Sequence, residues 1–125
     1  MNAEQAQRVI DGYVAAWNEA VADERGRMLG EVMSEESRYL DPNVELDSRS
    51  ALDGYIGEVL SRYPGRRIVR TSEVDVHHTV GRFHWRLIKA DGTRGQESVD
   101  FVEFARDGRI ARVIGFFGPI SDRSR

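Results

Sequence analysis

The chain is 125 residues long, 40% hydrophobic and 31% charged, with a formal net charge of -3. That is one domain's length with enough apolar material for a core, which excludes a disordered chain and a pair of ordinary domains. Lysine and arginine are scattered, so the charge pattern does not suit nucleic acid; the absence of cysteine excludes disulfides, thiolate nucleophiles and zinc–thiolate sites.

The start Met1-Asn2-Ala3-Glu4-Gln5 lacks the basic and apolar regions of a signal peptide, and no apolar run has the length of a membrane span. A cytoplasmic protein without a membrane partner is expected. Asn2 and Gln5 have the spacing of an N-cap and its capping-box partner. Val9, Ile10, Tyr13, Val14, Ala16, Trp17, Ala20 and Val21 then recur as a helical stripe. Asp23 is placed to cap a second helix carrying Met28, Leu29, Val32 and Met33. Residues 37–41 read as a short strand ended by Pro42. Ser50 opens a third helix with Leu52, Tyr55, Ile56, Val59 and Leu60 on one side, and Pro64-Gly65 stops it.

The remainder reads as strands over 67–78, 82–90, 95–106 and 109–118, with Asp91-Gly92 and Asp107-Gly108 as turns. Such a series predicts an antiparallel meander, and helices ahead of strands predict an α+β domain with the helices on one sheet face. Alternation puts Ser98, Asp100, Val102 and Phe104 toward the helices, with Phe83, Trp85 and Leu87 beside them, then Val113, Gly115 and Phe117. The other face carries Phe101, Ile114 and Phe116. Apolar residues on both faces predict a homodimer through the outer sheet face.

The stretches Tyr13-Val14-Ala15-Ala16-Trp17-Asn18, Tyr39-Leu40-Asp41-Pro42 and Asp100 through Gly118 give the chain a resemblance to the NTF2-like superfamily, and to its SnoaL-like and ketosteroid-isomerase-like members in particular. The resemblance covers nearly the whole chain. It implies a cone-shaped NTF2-like (cystatin-like) α+β fold, with N-terminal helices packed on a curved antiparallel sheet. A single domain over 1–125 is implied, with about 119–125 as a flexible tail. The superfamily holds isomerases, cyclases, dehydratases, epoxide hydrolases and binding proteins, so fold alone does not fix chemistry.

Ketosteroid isomerases carry a donor tyrosine in Tyr-Val-Ala-Ala, a general base in Asp-Pro, and a protonated aspartate on an aromatic-rich strand. The matching residues are Tyr13, Asp41 and Asp100, the last followed by Gly108-Arg109-Ile110. The chemistry so implied is proton transfer next to a carbonyl, without cofactor or metal. A base takes the α-proton, and two donors in a dry pocket hold the enolate oxygen. A carboxylic acid donates there only if an apolar site raises its pKa. The implied pocket takes a small apolar or carbonyl-containing molecule and is lined by Trp17, Tyr39, Tyr55, Ile56, Leu60, Phe83, Trp85, Val102, Phe104, Val113 and Phe117. Trp17 and Trp85 narrow it, which favours a smaller carbonyl compound or no reaction over a steroid, and the order Tyr55-Ile56 reverses the aromatic order expected of a tyrosine that orients the donor.

Other readings stay open on the residues alone. Asp41 before Pro42 also fits a turn, Tyr13 also fits a core position, and Asp100 also fits a buried partner of Tyr13 or Tyr39. Alternative functions are a non-catalytic ligand-binding or protein-interaction domain, or a hydratase, hydrolase or cyclase. Adjacent His77 and His78 point to opposite faces and His84 faces outward, so the histidines read as surface or interface groups. Glu35-Glu36 and Glu45-Asp47 read as solvated loop charges, and Gly115 and Gly118 as relief of crowding in a curved sheet.

Overall fold

A computed structural model of the chain describes residues 1–124. The first helix, α1 (Ala3–Trp17), begins at the expected capping box: the Asn2 side chain accepts from Gln5 N–H at 2.8 Å, and the Gln5 side chain accepts from Asn2 N–H at 3.0 Å. It buries Ile10, Tyr13 and Ala16 of the predicted stripe together with Ala6, whereas the stripe's last members, Ala20 and Val21, lie beyond the helix and Val21 is exposed. The second, α2 (Ala22–Val32), starts two residues before the expected cap, at Val21. Asp23 lies inside its first turn with Glu24, where carboxylates complement the helix dipole. Met33 is not helical: it opens β1 (Met33–Asp41), which is longer than the expected 37–41. The extra residues pair irregularly, with a register shift between Met33 and Arg38. Glu35 and Glu36 therefore lie on a strand rather than a loop, and remain exposed.

An unexpected strand, β2 (Val44–Leu46), folds back on β1, so Glu45 is also in a strand. The third helix, α3 (Arg49–Arg62), is capped by Ser48, whose hydroxyl accepts from Ala51 N–H at 3.1 Å; the expected cap, Ser50, is inside the helix. The expected strand 67–78 divides into β3 (Arg67–Arg70) and β4 (Asp75–His77), both paired with β5 (Val80–Ile88). The residues between them bulge outward: Arg70 faces Trp85 and Asp75 faces Arg82, so four residues span two on β5. The last strands, β6 (Ser98–Phe104) and β7 (Ile110–Phe116), are shorter than expected.

The sheet order is β2-β1-β7-β6-β5-β3, with β4 also on β5. The β5–β6–β7 part is the predicted meander, whereas β1 joins β7 in parallel. The sheet is therefore mixed, which corrects the all-antiparallel expectation. The helices cover one face, enclosing Ile10, Leu29, Met33, Leu52, Ile56, Ile110 and Val113 as a core. Buried Arg25 ties α2 to α3 through Asp53 (2.6 Å) and donates to the Glu19 carbonyl in the α1–α2 connection (2.8 Å). Pro119 to Ser124 carry no helix or strand, and Arg125 of the expected tail lies outside the described residues. No helix among the described residues is long and apolar enough to cross a membrane.

Candidate active site

Where the helices part from the open end of the sheet, a cavity of about 310 Å³ remains. Strand β6 runs from it into the core. Ser98 and Asp100 line the cavity, while Val102 and Phe104, on the same face, are buried at the closed end. The same division runs along α3, where Tyr55 and Val59 reach the cavity and Leu52 and Ile56 are core. Of the expected lining, Trp17, Tyr39, Tyr55, Phe83, Trp85 and Phe117 stand around the space. Ile56, Val102, Phe104 and Val113 do not: they face inward but sit too deep, filling core volume, and Leu60 also misses the cavity, half-buried against that core. The two tryptophans leave the cavity open. Trp17 packs edge-on to Tyr55 at 6.2 Å, and Trp85 edge-on to Phe117 at 5.8 Å.

Tyr13, Asp41 and Asp100 all line this space. Asp100 is 6% exposed, and its Oδ1 accepts from Trp85 Nε1 at 3.0 Å. Burial pushes its pKa from 3.8 to about 7; the Trp85 bond works against the shift and the charge of Asp41 adds to it. Near neutral pH a large share of Asp100 is therefore a carboxylic acid, able to donate. Tyr13 is 2% exposed and its hydroxyl is buried without a hydrogen-bond partner. Burial, then the negative charge of Asp100, hold it well above the usual phenol range, so it too stays a donor. A buried donor without an acceptor costs about 1–3 kcal/mol, and one facing a cavity is placed to meet a ligand oxygen.

Asp41 ends β1. Its Oδ2 accepts from the Tyr39 hydroxyl at 2.6 Å, and its Oδ1 from Asn43 N–H (2.7 Å) and Val44 N–H (3.2 Å). The two bonds to Oδ1 shape the β1–β2 turn and fill that oxygen's lone pairs, which leaves one free lone pair, on Oδ2. Tyr39 is held well above the usual phenol range, first by burial and then by the acidic groups around it, Tyr13, Asp100 and Asp41. Gly115 lies opposite Asp100 on β7, and a Cβ there would stand 2.8 Å from Asp100 Oδ1. The glycine makes room for the buried carboxyl, a specific form of the crowding relief expected of it.

Val14, Asn43, Val59, Arg66, Ile68, Leu87, Gly95, Gln96, Ser98 and Gly118 complete the lining. Val59 follows Tyr55 by one helical turn, and Ser98 and Leu87 follow the strand alternation, so those three had a sequence signal. Asn43 and Arg66 had none. His77 and His78 differ from expectation: His78 has φ 51° and turns the chain, bringing the two Nδ1 atoms within 3.0 Å. Both are exposed and neither lines this cavity, and outward His84 meets Glu97 at 3.3 Å. Among the described residues no three His, Asp or Glu side chains converge as a metal site requires.

No protein-family model matches the chain, nor does any curated protein. Among solved structures, a protein from Agrobacterium tumefaciens, provisionally called an isomerase of the SnoaL-like family, is 32% identical at a TM-score of 0.86, over 93% of this chain and 99% of that one. A SnoaL-like protein of unknown function from Burkholderia thailandensis is 15% identical at a TM-score of 0.74, over 94% and 98% of the two chains. An NTF2-like protein of unknown function from Exiguobacterium is 15% identical at a TM-score of 0.72, over 90% and 99%. The last two likenesses speak to fold alone.

Proposed function

Since the chain belongs to the SnoaL-like family, whose fold serves both catalysis and binding, we propose that its cavity binds a small carbonyl compound and moves a proton beside the carbonyl. Asp41 takes the α-proton. The electron pair so released forms the enolate, whose oxygen is held by Tyr13 and Asp100 as donors. Asp41 then returns the proton to a carbon further along, which shifts the double bond and leaves the enzyme unchanged. The observation that carries this reading is the unpartnered buried hydroxyl of Tyr13 in the same cavity as an Asp100 raised to about 7. The provisional isomerase assignment of the Agrobacterium relative supports it.

A phenolate resembles the enolate in charge and shape, so a simple alkylphenol should bind the protein and lose roughly tenfold or more in affinity in Asp100→Ala. Equal binding to both proteins would overturn the oxyanion assignment. A second reading, a ligand-binding domain without turnover, is favoured by one observation: both Asp41 oxygens already accept hydrogen bonds, Oδ1 from the β1–β2 turn and Oδ2 from Tyr39. It predicts phenol binding without proton exchange.

The outer sheet face is proposed to pair with a second copy of the chain. Phe101 and Phe116, 39% and 55% exposed, meet edge-to-face there at 6.1 Å, and large apolar side chains in contact on a surface favour burial. Phe116→Asp should then convert dimers to monomers in sedimentation, and an unchanged size would contradict the pairing.

A further inference from the structure

Arg66 lines the cavity but has no part in the proton transfer described above. It follows the Pro64-Gly65 stop of α3 in a turn where its N–H donates to the Tyr63 carbonyl at 3.3 Å. Gly65, at φ 85°, lies so near Ala90 that a Cβ would approach within 2.9 Å. The guanidinium carbon stands 4.3 Å from the centroid of the Tyr63 ring. A stacked ring orients a guanidinium without neutralising it. Among the described residues no carboxylate pairs with Arg66, and its Nε is buried without a partner. The cavity wall therefore carries a guanidinium with no carboxylate beside it.

The topology puts that charge on a different wall of the cavity from Asp41. Asp41 ends β1 and Arg66 leads into β3, with β7, β6 and β5 between those strands. At about 4.8 Å per strand, the separation along the curved sheet is about 19 Å. Asp100, on β6, lies between the two, and Ile68 and Leu87 provide apolar lining. An anionic group on a ligand would be repelled at the Asp41 wall and attracted at the Arg66 wall, which fixes the ligand's direction.

We propose that the ligand is a carbonyl compound that also carries a carboxylate, with its carbonyl oxygen between Tyr13 and Asp100 and its carboxylate on Arg66. The carbonyl end of this assignment rests on the proton-transfer reading; the carboxylate end rests on Arg66 alone.

The test is a matched ladder of phenols: 4-ethylphenol against the carboxylates 4-hydroxyphenylacetate, 3-(4-hydroxyphenyl)propanoate and 4-(4-hydroxyphenyl)butanoate, with affinity read from tryptophan fluorescence. In the unaltered protein the best carboxylate should bind about tenfold more tightly than 4-ethylphenol, and the advantage should shrink with added salt. Arg66→Gln should remove that advantage and leave 4-ethylphenol unchanged. If no carboxylate binds more tightly than 4-ethylphenol, or the advantage survives in Arg66→Gln, the carboxylate anchor is overturned and the proton-transfer reading stands. If 4-ethylphenol itself does not bind, or binds Asp100→Ala equally, the oxyanion site falls; a carboxylate advantage lost in Arg66→Gln would then leave Arg66 as an anion site by itself. If none of the four binds, both assignments are overturned.

Discussion

Replacing Asp100 with asparagine tests the buried acid without removing its volume. Asparagine keeps an oxygen for the Trp85 Nε1 hydrogen bond of 3.0 Å, yet cannot ionise. In the unfolded chain Asp100 titrates near 3.8, whereas in the fold burial raises it to about 7. Between those values the native state holds a proton that the unfolded state has lost, so the stability of the unaltered protein falls as pH rises through this window. Below 3.8 both states are protonated, and above about 7 both are ionised. The window spans about three pH units, and each corresponds to about 1.4 kcal/mol. Asp100 should therefore lower stability by about 4 kcal/mol on going from pH 4 to pH 7. Urea denaturation of both proteins across that range isolates this effect, because every other titrating group is common to the two. The stability of Asp100→Asn minus that of the unaltered protein should be small near pH 4, grow through the window and level off above it. A difference that stays constant with pH would refute the claim that burial keeps Asp100 protonated.

Two further substitutions probe the neighbours of that carboxyl. Tyr13→Phe removes a buried hydroxyl without a partner, so urea denaturation should find the variant about 1–2 kcal/mol more stable, while calorimetry finds weaker phenol binding. A loss of stability would mean that the hydroxyl is satisfied in the folded protein. Gly115→Ala would put a methyl group 2.8 Å from Asp100 Oδ1 and 3.5 Å from the Asp41 Cβ. A destabilisation of about 1–3 kcal/mol is expected from such overpacking, together with weaker phenol binding, and a variant unchanged in both would show that Asp100 has room to move.

The sequence exposed most of what depends on local periodicity. The inward position of Asp100 follows from strict alternation in Ser98, Asp100, Val102 and Phe104, all four of which are buried. The capping box at Asn2 and the turns at Gly92 and Gly108, with φ of 88° and 85°, were equally legible. Depth was not. Alternation says which face a side chain takes, not how far along the cone it sits, so Val102 and Phe104 looked like cavity lining and are core. The parallel pairing of β1 with β7 joins residues about seventy positions apart, such as Tyr39 and Val113, and no turn signal reports such a contact. Strand β2 is three residues long with a glutamate at its centre and reads as loop until β1 is there to pair with it. Arg66 behind a Pro-Gly stop looks like any solvated charge; only the closure of β3 onto β5 brings it to the cavity.

The central claim is that Asp41, Tyr13 and Asp100 together move a proton beside a carbonyl. Its most direct measurement is proton NMR of small cyclic ketones and enones in deuterated buffer with the unaltered protein and with Asp41→Asn. The account predicts protein-dependent loss of the α-proton signal, abolished in Asp41→Asn while phenol binding persists. Phenol binding with no exchange above the buffer rate for any ketone in the panel, or exchange equal in both proteins, would contradict it.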